Sequence, residues 1–236
     1  MDSVKYLKIK GKNTFSIFSD SGNKKVVIFC HGFRGDTTGP NRFFVRLARK
    51  LNEKDISSLR FDQYGCGNSE GDFENSTFSN WVNTTTALAN KYLKRGYQVS
   101  LFGQSMGGAC VIVVGSKLGS RISSLVAWSP GIIKDKPIIK GKYMYEKGQR
   151  MKWDYWIEAY QANVVKSFSK LKTKTLLFIA TKDEYVPPSD QKAIIKATKS
   201  HQTIETLEGE VHSQWSYEVA EKVIAKTANF LVSNFK

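Results

Sequence analysis

The chain predicts an α/β fold: a mostly parallel central sheet with helices on both faces. Three observations carry this. Strand-like and helix-like segments alternate almost throughout, the rhythm of a parallel sheet wrapped by crossover helices. Several strands are short β-branched apolar runs such as Lys25–Cys30, the pattern of a strand buried on both faces. One long stretch then departs from the rhythm without starting a new one, which reads as an insertion at about 131–168 within a single domain spanning 1–236. At 236 residues, 41 % hydrophobic and 24 % charged, the chain sits near globular averages, which excludes disordered and fibrous classes.

Val4–Ile9 and Thr14–Phe18 read as an opening hairpin, and Lys25–Cys30 as the first buried strand. Asn41–Asn52 places Phe44, Val45, Leu47, Ala48 and Leu51 at helical spacing. Ile56–Phe61 is a strand. Phe78–Leu93 is a helix with Trp81, Thr85, Leu88, Ala89 and Tyr92 near one face. Tyr97–Phe102 is a strand, Met106–Leu118 a helix rich in small residues, and Ile122–Trp128 a strand. Thr175–Ala180 and Thr203–Leu207 are strands flanking the helix Ser189–Ala197, and Tyr217–Phe230 is a closing amphipathic helix. Between Pro130 and Phe168 no buried strand appears. Lys134–Lys152 carries a net charge of +5 and is followed by Trp153, Tyr155, Trp156 and Tyr160. So long a structureless loop is unusual inside a domain, so the segment reads as a cap over the C-terminal edge of the sheet, where open α/β sheets bind ligands.

Composition narrows the function classes. No window reaches the ~18–20 apolar residues of a membrane helix, and Met1–Lys5 lacks the start of a secretory signal. The expected location is the cytoplasm. Cys30, Cys66 and Cys110 are odd in number and widely spaced, which argues against a disulfide framework or a CxxC metal site. The net charge of +15 comes mostly from lysines spread along the whole chain. Nucleic-acid recognition concentrates arginines and aromatics in a motif, so a solvated lysine-rich surface is the reading here, with neither nucleic acid nor stable membrane insertion expected.

Chemistry is concentrated in three places. Gly103-Gln104-Ser105-Met106-Gly107 lies between a strand and a helix, the context of a G-x-S-x-G nucleophile elbow. Glycines two before and two after Ser105 remove clashing side chains, and the helix N-terminus offers unpaired N–H groups where negative charge develops. A hydroxyl needs a base. Of His31, His201 and His212, His212 alone follows the last strand. His201 reads as a solvated turn residue. The base needs an orienting acid, and Asp183 and Glu184 both lie just past a strand at the same sheet edge. Asp183 is the candidate and Glu184 its rival.

These motifs resemble those of α/β-hydrolases of the serine-hydrolase type, over nearly the whole chain outside the cap. The resemblance extends to His31-Gly32-Phe33, to the turn containing Asp62, Gly65, Gly67, Ser69 and Gly71, to Asp183 with Val186-Pro187, and to Gly209 with His212. More closely, His31–Gly35, Leu59–Asp62 and Gly65–Phe73 resemble small bacterial cinnamoyl/feruloyl esterases and related carboxylesterases. The resemblance implies an oxyanion hole formed by the backbone N–H groups of Phe33 and Met106. It also implies structural roles for His31 and Asp62. Cys30 and Cys110 read as buried small hydrophobes and Cys66 as more open.

The expectation is a serine carboxylesterase acting on small or aromatic acyl esters, hydroxycinnamoyl esters among them, with Ser105, Asp183 and His212 as its catalytic residues. No metal and no organic cofactor is expected. The partner is a small-molecule ester, and the oligomeric state stays open, a homodimer included. A thioesterase or serine peptidase of the same fold, or a non-catalytic binding module, remains the alternative. Trp153, Tyr155, Trp156 and Tyr160 have two readings, as substrate-binding residues of the cap or as its packing core.

Overall fold

The alternating pattern builds one eight-stranded sheet and a separate two-stranded hairpin. The computed structural model describes residues 2–146 and 148–236. Lys147, counted in the basic run of the cap, lies outside the described residues. In chain order the elements are β1 (Asp2–Ile9), β2 (Lys12–Ser19), β3 (Lys25–Cys30), α1 (Phe43–Asn52), β4 (Ser57–Phe61), α2 (Phe78–Lys94), β5 (Gln98–Gln104) and α3 (Met106–Leu118). There follow β6 (Ser124–Trp128), β7 (Tyr143–Glu146), β8 (Gln149–Lys152), α4 (Asp154–Gln161), α5 (Val164–Ser169), β9 (Lys174–Ala180), α6 (Pro188–Lys196), β10 (Gln202–Leu207) and α7 (Tyr217–Ser233). The sheet order is β1-β2-β4-β3-β5-β6-β9-β10. β1 and β2 form an antiparallel hairpin, β2 meets β4 antiparallel, and every other pairing in the sheet is parallel. The fold class expected from the sequence is the one found.

The two-residue period of each strand divides the core in two. Val26, Ile28 and Cys30 of β3 pack toward α2 and α3, whereas Val27 and Phe29 pack toward α1 and α7. β9 does the same, with Leu177 and Ile179 on one side and Leu176 and Phe178 on the other. Large aromatics fill the second core: Phe102 meets Trp128 at 4.6 Å between ring centroids and Phe29 at 4.8 Å. Several buried polar groups of the core pair with one another, which offsets the cost of burying them. Trp128 Nε1 donates to Thr227 Oγ1 at 2.9 Å, and the Ser100 and Ser124 hydroxyls bond across β5 and β6 at 2.8 Å. α2 starts at an N-cap, Thr77, whose hydroxyl accepts the Asn80 N–H.

Because β3, β5, β9 and β10 run parallel, the loops that follow them open on one edge of the sheet. The long segment after β6 passes over that edge. Among the described residues its regular strands are the short, partly exposed hairpin β7–β8. α4 anchors it through Tyr155, which is fully buried against Phe33, Phe78 and Trp81. α5 packs against α3 and α6 and so covers the sheet like an ordinary crossover helix.

Two sequence expectations change. Cys66 is buried rather than open, because the tight turn closed by its N–H to Gln63 O tucks the side chain into the core, and burial pushes its thiol up. His201 is half-buried, its Nε2 bonded to Leu171 O at 2.8 Å, so it ties two loops together instead of standing in solvent.

Candidate active site

Ser105 sits between β5 and α3 with φ 57° and ψ −126°. A non-glycine residue there costs on the order of 1–3 kcal/mol and persists only when its surroundings enforce it. They do: the Ser105 N–H donates to Trp128 O at 2.9 Å, and its carbonyl accepts from Ala109 N at 3.0 Å and Gly131 N at 2.9 Å. The flanking glycines follow from close approach. A Cβ on Gly103 would lie 2.3 Å from Gly107 O, and one on Gly107 would lie 2.1 Å from Cys30 O. Neither site has room for a side chain, so the turn can stay tight and lift the hydroxyl off the sheet.

The loops after β9 and β10 supply two more groups. His212 Nε2 lies 2.8 Å from Ser105 Oγ, and His212 Nδ1 lies 2.7 Å from Asp183 Oδ2. The second oxygen of Asp183 accepts the backbone N–H groups of Tyr185 at 2.9 Å and Val186 at 2.8 Å. The carboxyl side chain is 1 % exposed and fully engaged. An acceptor-only carboxylate at Nδ1 makes that nitrogen the proton carrier, which leaves Nε2 free to accept from the Ser105 hydroxyl. The rival acid, Glu184, is also near, but its carboxylate accepts the backbone N–H of His212 at 3.1 Å and does not reach the ring. The exposed Tyr185 stands edge-on to the imidazole at 5.1 Å.

Phe33 and Met106 frame the same point from the loop after β3 and the first turn of α3. Neither backbone N–H has an acceptor among the described residues; for Met106 this is the ordinary state of a helix N-terminus. His31 and Asp62 hold this loop from behind. His31 Nε2 accepts from Gln63 N at 2.9 Å and its Nδ1 donates to Gly32 O at 2.8 Å, which sets one neutral tautomer. Burial drives its pKa down to about 4. Asp62 accepts from Thr37 N at 2.7 Å and Asn68 N at 2.8 Å, joining the loop to the glycine-rich turn. Burial raises its carboxyl to about 6.

A cavity of about 500 Å³ opens above Ser105 and His212. Of the four cap aromatics singled out in the sequence, Trp156 lines it. Tyr155 lies behind it in the core, 5.3 Å from the Phe33 ring, and Trp153 and Tyr160 are half-buried outside the lining. Neighbouring helical residues diverge by about 100°, so Tyr155 and Trp156 serve different surfaces. Ile132, Ile133 and Met106 complete an apolar wall. Sequence reasoning missed two contacts here. Gln104 Nε2 donates to Ser213 Oγ at 2.6 Å, clasping the elbow to the histidine loop. Arg34, beside Phe33, bridges to Glu146 of β7. The unassigned position inside the elbow motif and the residue after His212 were the available signals for the first pair. The second pair is 112 residues apart and left none. Among the described residues no cluster of His, Cys, Asp or Glu is suited to hold a metal ion.

Fold and site together define a hydrolase of the α/β-hydrolase fold. The family model described as serine aminopeptidase, S33, matches residues 21–148, more than half of the chain, and the chain belongs to that hydrolase family. The matched stretch carries the loop after β3, the glycine-rich turn and the elbow. No curated protein matches the chain by sequence. Among solved structures, the chain is similar to Est1E from Butyrivibrio proteoclasticus bound to ferulic acid, with TM-score 0.85, 23 % identity, and 97 % of this chain and 98 % of that one covered. It is also similar to the α/β hydrolase GrgF from Penicillium sp. sh18, with TM-score 0.82, 15 % identity and 99 % of each chain covered. A monoacylglycerol lipase from Paleococcus ferrophilus gives TM-score 0.77 and 18 % identity over 94 % of this chain and 99 % of that one. At these identities the likeness is one of fold. No helix among the described residues is long and apolar enough to cross a membrane.

Proposed function

We propose that this chain is a serine carboxylesterase that cleaves small or aromatic acyl esters through an acyl-enzyme on Ser105. The observation that carries the proposal is the unbroken hydrogen-bonded chain Ser105–His212–Asp183 at the floor of a cavity of about 500 Å³. In this reading Ser105 Oγ attacks the ester carbonyl while His212 Nε2 takes its proton. The Phe33 and Met106 N–H groups receive the oxyanion. His212 returns the proton to the leaving alcohol, and water repeats the sequence on the acyl-enzyme. Asp183 holds the imidazole tautomer and stabilises the imidazolium. Segment 131–168 acts as a cap on one domain, and Trp156, Ile132, Ile133 and Phe33 offer a flat apolar wall suited to an aromatic or short acyl group. The ferulic acid held by Est1E is in keeping with such a wall.

A peptidase reading follows from the family description. An aminopeptidase needs a carboxylate to hold the substrate amine. The two carboxylates lining the cavity are Asp36, exposed and bonded to Thr38, and Glu146, paired with Arg34. That arrangement favours esters. Assaying p-nitrophenyl esters from acetate to decanoate, methyl hydroxycinnamates, a thioester and leucine p-nitroanilide tests the proposal. Short and aromatic esters are expected to lead. Faster turnover of the anilide, or no turnover of any ester, would overturn it.

A further inference from the structure

The wall of the catalytic cavity contains a fixed cation that ester hydrolysis as described does not use. Arg34 immediately follows Phe33, lines the cavity, and has a side chain only 19 % exposed. Its backbone takes a left-handed φ of 57°, which turns it out of the line of the loop. The guanidinium reaches across to β7, where Nη2 meets Glu146 Oε1 at 3.1 Å and Nη1 donates to Glu146 O at 3.2 Å. Glu146 lines the same cavity and is more exposed, with 39 % of its side chain open to solvent.

The two members of the pair are therefore unequal. Arg34 is held by its loop, by the Phe33 ring 5.2 Å beneath its guanidinium and by the Glu146 carbonyl. The Glu146 carboxylate sits at the end of a short, half-buried strand, and its own greater exposure leaves it room to turn toward water. If it leaves, Arg34 keeps its carbonyl contact and offers the rest of a planar, permanently charged fork to whatever occupies the cavity. Such a fork matches a carboxylate in particular. The segment between β6 and β7 is also rich in cations, Lys134, Lys136, Lys140 and Lys142 among them, and such charge raises the local concentration of anions.

We propose that Arg34 is a specificity-determining residue that receives a carboxylate carried by the ester substrate, and that Glu146 occupies that place as an internal stand-in when the cavity is free. The proposal rests on the esterase reading above and narrows it to esters bearing an anionic group on the acyl or the alcohol part. Binding exchanges one carboxylate for another on the same guanidinium, and the hairpin β7–β8 loses its side-chain tie to the oxyanion loop. Substrate charge and cap position are thereby coupled.

The test compares kcat/KM for charged and neutral esters of similar size. On the acyl side the pair is p-nitrophenyl hemisuccinate against p-nitrophenyl valerate; on the alcohol side it is 4-acetoxybenzoate against phenyl acetate. In at least one pair Arg34→Gln is expected to lower the charged-to-neutral ratio about 10–100-fold, the scale of a charge-assisted hydrogen-bonded pair. Glu146→Gln is expected to raise the same ratio, because the competing carboxylate is gone. Lys8→Gln, on exposed β1, removes the same net charge far along the sheet and serves as the control for long-range attraction. A role confined to strapping the cap would move both esters together and leave both ratios fixed, which overturns the proposal. So would a fall in the ratio for Lys8→Gln equal to that for Arg34→Gln. If the wild type turns over none of the four esters, the esterase reading itself fails. If it turns over the neutral ones with ratios indifferent to both cavity substitutions, only the assignment of Arg34 fails.

Discussion

Ser105, His212 and Asp183 each owe their position to a different local device: a strained turn, a loop after the last strand, and a carboxylate pinned by two backbone N–H groups. Single substitutions should separate these roles. Ser105→Ala is expected to lower ester hydrolysis by on the order of 10⁴–10⁶-fold with the melting temperature preserved. Retention of more than a few per cent of activity in the purified variant would remove Ser105 from the mechanism. Asp183→Asn should cost on the order of 10⁴-fold in kcat, because an amide beside Nδ1 favours the wrong tautomer. Glu184→Gln should do far less, since Glu184 touches only the His212 backbone; the opposite ranking in a parallel assay would exchange the two acids. These three residues were legible because sequence spacing reports them directly: a glycine-flanked serine between strand and helix, and an acid and a histidine each just beyond a strand. Arg34 and Glu146 were not, because an ion pair between distant segments depends on tertiary structure that no local pattern encodes.

At the scale of elements, the buried strands were the most legible. Each is a short apolar run whose alternation feeds two cores, so composition and burial agree. The segment 131–168 was expected to interrupt the alternation, and its hairpin was not foreseen. Tyr143–Glu146 and Gln149–Lys152 are short and only partly buried, and carry little apolar periodicity. The structure separates the four aromatics by place: Trp156 lines the cavity, Tyr155 is buried behind it, and Trp153 and Tyr160 lie outside the lining. Trp156→Ala should raise KM more than it lowers kcat, because a wall contact is made in ground and transition states alike. Trp153→Ala should leave KM in place, and a reversed pattern in steady-state kinetics would mean that the cavity wall has been misdrawn. Tyr155 makes a sharper case. Its hydroxyl is buried with no hydrogen-bond partner among the described residues, and burial pushes its phenol well up. Tyr155→Phe removes a desolvated group while keeping the ring contacts with Phe33, Phe78 and Trp81. Stability should hold or rise by about 1 kcal/mol, read as an unchanged or higher melting temperature. A clear fall would show that the hydroxyl is bonded after all.

At the scale of the whole molecule, the groups behind the loop after β3 are expected to make stability depend on pH. His31 is 1 % exposed and its pKa is lowered from 6.5 to about 4 by burial. Its folded form therefore binds fewer protons than the unfolded chain in that window. The associated stability is fully present above about 6.5 and is lost as pH falls through about 4. Asp62 works in the opposite sense: its carboxyl is raised by burial to about 6, so its share is present below 3.8 and lost as pH rises through about 6. The difference in unfolding free energy between wild type and His31→Asn isolates the histidine. It should grow by about 3 kcal/mol between pH 4 and pH 7, measured by denaturant titration at each pH. A flat difference would mean that His31 is not held neutral.

The central claim is that Ser105 is the nucleophile and is activated by His212. Reaction with a fluorophosphonate, followed by intact-protein and peptide mass spectrometry, tests it most directly. The predicted result is one adduct per chain, located on Ser105, absent in Ser105→Ala and formed far more slowly in His212→Ala. A folded protein that hydrolyses esters yet carries the adduct on another residue, or none at all, would contradict the account.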